Sequence, residues 1–120
     1  MPPGLQQAPS ERARLAQVAL GAALGHPNVT GAIGGGSFVT TYGETRLEGV
    51  SATAVGGDRF SVGLRLRVTM TPLRPLADEL RDRIERAAAA AGRGALLAGI
   101  EIEFADLVEP GRPDAVGARA

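Results

Sequence analysis

Residues 60–70 read FSVGLRLRVTM. Phe60, Val62, Leu64, Leu66, Val68 and Met70 alternate with Ser61, Gly63, Arg65, Arg67 and Thr69. Successive side chains of a strand point to opposite faces, so this spacing predicts one apolar face and one polar face. Upstream, GVSATAV at 49–55 is a weaker strand. Gly56, Gly57 and Asp58 between the two carry the chemistry of a tight turn and predict an antiparallel hairpin.

Downstream comes PLADELRDRIERAAAAAG, residues 75–92. Pro75 suits the first turn of a helix, where a missing N–H costs little. Leu76, Leu80, Ile84, Ala87 and Ala91 form one stripe at helical spacing, and Gly92 is a natural stop. Glu79–Arg83 and Asp82–Arg86 are spaced as i,i+4 ion pairs with the acid leading, each contributing about 0.2–0.5 kcal/mol. The closing strand, GIEIEFADLV at 99–108, sets Ile100, Ile102 and Phe104 on one face and Glu101 and Glu103 on the other. Its alternation slips at Ala105–Asp106, which predicts a bulge or a strand end there.

Towards the N-terminus, Ser10 is placed to cap a helix, with Glu11 in the first turn where the helix dipole favours a carboxylate. Leu15, Val18, Ala19 and Ala22 follow as its apolar stripe, and Gly25 and Pro27 end it. Next comes NVTGAIGGG at 28–36, read as a glycine-rich strand and bend, after which Phe38, Val39 and Tyr42 fold back over the sheet edge. The order is helix, strand, strand, strand, helix, strand. It predicts an α+β two-layer sandwich, one mixed sheet with both helices on one face. Leu64, Leu66, Val68, Leu80, Ile84, Ile100 and Ile102 are the expected centre of the core. Residues 10–108 make the single domain, between a proline-rich lead, 1–9, and a tail, 109–120, both expected to be disordered.

Composition excludes several functions. The 120 residues balance 13 basic against 13 acidic side chains, and every basic one is arginine. That balance, the four aromatic residues and the lack of an RNA-binding signature argue against nucleic acid as a partner, despite Arg65 and Arg67. Without cysteine there is no disulfide, thiolate nucleophile or thiolate metal site. No basic segment followed by an apolar one marks a signal peptide, and the apolar stretches fall far short of the roughly 20 residues of a membrane-spanning helix. The expected location is the cytoplasm, without direct membrane insertion.

The glycines of GAIGGGSFVTTYGE are not a phosphate loop: no Gly-Lys-Ser/Thr is present, and a strand pattern follows instead of a helix. His26 is the one histidine, flanked by Gly25 and Pro27, and reads as a helix-end cap or a loop residue. Ser37, Ser51 and Ser61 lack a base, and Glu101 with Glu103 read as a solvated row beside an arginine partner. The sequence therefore predicts no catalytic residue, no cofactor and no metal site.

In order along the chain, RLAQVALGAALGHPNVTGAIGG, TYGETRLEGVSATAV, FSVGLRLRVTMTPLRPLADELRDRIERAAAAAG and IEIEFADLV resemble the alkaline-shock-protein family of bacterial envelope stress response proteins, in a divergent, actinobacterial-like form. The family's turn is usually PGV-like where this chain has PNV, and its second helix is commonly entered at YG-x-P where this chain has MTPLRPL. The resemblance implies a small non-enzymatic scaffold near the cytoplasmic membrane, held there by a membrane-anchored protein partner and prone to self-association. The family carries no known catalytic residues. The competing readings are an iron–sulfur assembly-type domain, which would be expected to carry a DPE-like motif after its first helix, and a small-molecule-binding domain. Phe38, Tyr42, Arg65, Arg67, Glu101 and Glu103 are the candidate protein-interaction residues. Their sheet face is either merely solvated or a docking surface, with Arg65 and Arg67 expected across from Glu101 and Glu103.

Overall fold

The structure is a computed structural model that describes residues 10–42 and 44–109, with Tyr42 as backbone only. The expected disordered lead, 1–9, and the tail beyond Glu109 lie outside the described residues. Helix α1 spans Glu11–Leu24, and strand β1 Val29–Ala32. Strands β2 (Val39–Tyr42), β3 (Thr45–Glu48), β4 (Val50–Gly56) and β5 (Arg59–Thr69) follow. Helix α2 (Leu73–Ala90) and strand β6 (Leu97–Val108) close the order.

The main sheet is mixed. β1 and β4 pair antiparallel with β5, and β6 pairs parallel with it. β6 runs beside β5 from Phe60 to Thr69, so β1 and β4 share the other edge of β5 end to end, opposite its C-terminal and N-terminal halves. The change-over falls at Arg65, whose N–H donates to Gly49 O and whose carbonyl accepts from Ile33 N–H. Along the main sheet the order is thus the expected helix, strand, strand, strand, helix, strand. The structure adds a hairpin between β1 and β4, because Val39–Tyr42 pairs with Thr45–Glu48 as a separate two-stranded ribbon.

The turns follow the sequence closely. Gly57 and Asp58 join β4 to β5 with φ of 62° and 61°, the positive values a two-residue hairpin of type I′ requires. Beyond α2, Gly92 (φ 77°) donates its N–H to Ala89 O, and Arg93 N–H reaches Ala88 O, the paired bonds of a Schellman stop. The irregularity in β6 is a bulge: Phe104 aligns with Leu66 and Asp106 with Arg67, leaving Ala105 over.

At the start of α1, Ser10 Oγ accepts from the Ala13 N–H at 3.1 Å. Ser10→Ala is expected to lower stability by about 1 kcal/mol. In a domain of this size that is about 4–8 °C of thermal midpoint. An unchanged midpoint would mean that solvent satisfies that N–H equally well.

The helices lie antiparallel on one face of the sheet and are tied at both ends. Arg93 Nε meets Glu11 Oε1 at 2.8 Å, and Arg83 Nε donates to Ala22 O at 3.2 Å. Leu15, Val50, Val62, Leu64, Leu66, Val68, Leu80 and Ile84 are fully buried. The buried side of α1 is Ala13, Leu15, Ala16, Ala19 and Ala23, with Val18 and Ala22 only half-buried. Apolar residues surround most of this helix, so periodicity does not select among its faces; the side richest in alanine is the one that meets α2 and β4. On α2 the stripe ends in Ala88, not in Ala87 and Ala91. Ile100 and Ile102, expected at the core centre, are only partly buried, as is Phe104. β6 is an edge strand, and its apolar side has sheet on one flank alone.

Candidate interaction surface

The sheet face opposite the helices is built by the polar halves of β5 and β6. Arginine and acid do meet across β5 and β6 as expected, with Arg65 Nε 3.2 Å from Glu103 Oε2. Arg67 faces neither Glu101 nor Glu103. The bulge at Ala105 advances β6 by one residue, so Arg67 meets Asp106, Nε to Oδ2 at 2.9 Å. Glu101 lies opposite Gly63, which has no side chain to offer it. Among the described residues Glu101 makes no ion pair or hydrogen bond. The result is a ladder of two arginine–acid pairs with one bare carboxylate beside it.

Phe38 does fold back onto this sheet. A Cβ built on Gly63 would lie 3.5 Å from Phe38 Cε1 and 2.8 Å from Ser51 Oγ, so the missing side chain of Gly63 makes room for both. Arg65 also donates from Nη1 to Gly34 O at 3.4 Å, which ties the glycine-rich segment to the ladder. Tyr42 is placed in the β2–β3 ribbon, away from the ladder in sequence register. Asp106 was missed because its place depends on a bulge whose offset alternation alone does not reveal.

His26 is neither a plain loop residue nor the cap, which is Gly25. It is buried, 8% exposed, with Nδ1 accepting from Asn28 N–H at 3.0 Å. That bond places the ring proton on Nε2, which donates to Glu79 Oε1 at 2.8 Å. Both ring nitrogens are therefore engaged in holding the end of α1 to α2. Glu79 is consumed by this contact and is not the partner of Arg83, whereas Asp82 and Arg86 pair as expected at 2.8 Å. Among the described residues no group of three or more His, Asp or Glu side chains is placed to hold a metal ion.

Two open clefts are lined by described residues. One, of about 140 Å³, opens beside His26, Asn28 and Glu79; the other, of about 240 Å³, lies between α2 and the start of β6. Both are smaller than the roughly 300–1,000 Å³ of ordinary small-molecule sites. Among the described residues no helix is long and apolar enough to cross a membrane.

No family model matches the chain, and no curated protein matches it. Among solved structures, a variant of the MamM CTD in its zinc form is similar, at 17% identity over 85% of this chain and 91% of that chain, with a TM-score of 0.47.

Proposed function

We propose that the chain is a non-enzymatic scaffold domain of the alkaline-shock type, acting in the cytoplasm beside the membrane. Its open sheet face docks a second copy or a membrane-anchored protein. The observation that carries this reading is the ladder Arg65–Glu103 and Arg67–Asp106, flanked by Phe38, on a face with no helix over it among the described residues. Exposed ion pairs of this kind add only about 0–1 kcal/mol each to stability, so the ladder is not needed to hold the fold. Charges fixed in register, beside an aromatic ring, suit recognition: they steer encounter and penalise wrong partners more than they raise affinity. The resemblance of the sequence to the alkaline-shock family supports the same reading, as does the engagement of both nitrogens of His26 in a structural contact.

The test is the double reversal Arg65→Glu with Arg67→Glu. It sets like charges across from Glu103 and Asp106, a penalty on the order of 1 kcal/mol at each position that the domain survives. Circular dichroism is expected to show the fold retained. Sedimentation velocity is expected to show self-association lost, and capture on membranes to be lost with it. A folded variant that still self-associates and is still captured would overturn the docking role of this face.

A further inference from the structure

Among the described residues β6 pairs only with β5, and its outer edge carries no strand. Arg65 turns its backbone groups towards β1 and β4, so Leu64 and Leu66 turn theirs towards β6. In a parallel ladder aligned Leu64 to Ile102, the bonds from Leu64 go to Glu101 and Glu103. The backbone groups of Ile100, Ile102 and Phe104 then point away from the sheet, consistent with Arg81 Nε donating to Ile100 O at 3.5 Å. The opposite edge is blunted: the outward carbonyls of β4 at Val50 and Ala52 are taken by Thr40 Oγ1 and Arg12 Nη1. β6 has no lysine, arginine or proline of the kind that guards an edge, and its two irregularities, at Ala98 and Ala105, leave residues 99–104 between them in regular register.

The side chains along that edge say what would pair there. On the helix side, Ile100, Ile102 and Phe104 are covered only in part, and the cleft of about 240 Å³ formed with Arg81, Glu85 and Leu97 opens beside Ile100. On the other side stand Glu101, without a partner among the described residues, and Glu103, paired with Arg65 but about half-exposed. Among the described residues Glu85, at the rim of the cleft, has no ion pair either. A second β6 fits poorly. The antiparallel registers that overlap residues 99–104 most fully set Glu101 against Glu101 or Glu103 of the copy, and like charges directly opposite repel.

We infer that the free edge of β6 binds an extended segment of a partner protein in which basic residues alternate with apolar ones, added to the sheet as a further strand. The basic side chains meet Glu101 and Glu103, the apolar ones cover Ile102 and Phe104, and the main chain satisfies the outward groups of β6. This rests on reading the chain as an association domain, but it uses the main-chain edge of β6 and shares only Glu103 with the arginine ladder.

The probe is a fluorescent Arg-Val-Arg-Val-Arg-Val peptide, with Glu-Val-Glu-Val-Glu-Val and the block sequence Arg-Arg-Arg-Val-Val-Val as controls, read by anisotropy against the full chain. The alternating basic peptide is expected to bind, and N-methylation of every second residue to abolish binding in one phase and leave it in the other. Glu101→Lys, at an exposed site with no partner to lose, is expected to weaken binding by about fivefold or more, as when an attractive cross-strand pair becomes repulsive. Equal binding of the block peptide, indifference to the phase of N-methylation, or no binding of the alternating peptide would overturn the inference. The Arg65→Glu, Arg67→Glu variant keeps Glu101 and the β6 edge, so peptide binding that persists while self-association is unchanged would fail the ladder alone. Lost peptide binding in wild-type chain that still self-associates would fail the edge alone.

Discussion

Leu66→Ala and Ile84→Ala each lower the denaturation midpoint by the equivalent of about 2–5 kcal/mol, a large share of the total stability of a small domain. Both side chains are fully buried. Leu66 sits where β5 is flanked on both sides, by Ala32 of β1 and Phe104 of β6, and Ile84 is the middle of the buried stripe of α2. Neither site collapses easily. The sheet backbone fixes one wall, and the helices are pinned to each other at both ends through Glu11–Arg93 and His26–Glu79. Truncation therefore leaves a cavity, and the surrounding atoms lose dispersion contacts as well as burial. The same truncation at Ile102, half-covered on the edge strand, is expected to cost less, and Val55→Ala, at an exposed position, to stay within about 0.5 kcal/mol. Guanidinium melts at constant slope give the ranking. A Leu66→Ala midpoint equal to wild type would show that the apolar face of β5 is not the centre of the core.

The strand at 60–70 was legible because its alternation is strict and its ends carry turn residues. The crossover helix was legible because Pro75 and Gly92 bracket a single apolar stripe. What escaped the sequence has physical causes. On α1, Ala, Val and Leu lie on nearly every side, so the close approach of α2 decided the buried face. The β2–β3 ribbon hid in a glycine-rich stretch, where short strands have little apolar alternation to show. Ile100 and Ile102 looked like core by pattern, but pattern gives the face of a strand and not its position across the sheet. Of the candidate site, alternation put Arg65, Arg67, Glu101 and Glu103 on one face, but not the register that pairs Arg65 with Glu103. Arg67 with Asp106 needed the offset of the bulge, and the contact of His26 with Glu79 joins positions far apart in the chain, which no local pattern reports.

Gly49→Ala is expected to be a strongly damaging single-methyl change at a buried seam of the sheet. Gly49 stands where β3 ends and β4 begins, at φ 90°, a conformation that costs an L-residue about 1–2 kcal/mol. The added methyl would also fall onto Ala32 Cβ and within 3.1 Å of Ile33 N, because β1 and β4 abut here along the same edge of β5. Overpacking at such a junction costs a further 1–3 kcal/mol or so. Relief by backbone movement is closed off: Gly49 O accepts from Arg65 N–H at 2.9 Å, and Gly49 N–H donates to Phe38 O at 2.8 Å. Moving Gly49 would therefore disturb the change-over between the two half-strands and the seat of Phe38 against Gly63 together. The two parts of the cost are separable. Ala32→Gly removes the methyl that Gly49→Ala would strike, so the double variant should recover the part of the steric cost due to that methyl and keep the conformational part and the backbone contact with Ile33 N. A double-mutant cycle by chemical denaturation is expected to show strong non-additivity in the recovering direction. Simple additivity would mean that β1 and β4 do not meet end to end at Gly49. The junction matters for function on the same grounds: if Phe38 belongs to the docking face, Gly49→Ala should weaken self-association more than its loss of stability accounts for, while Ser10→Ala, at the far cap of α1, should not.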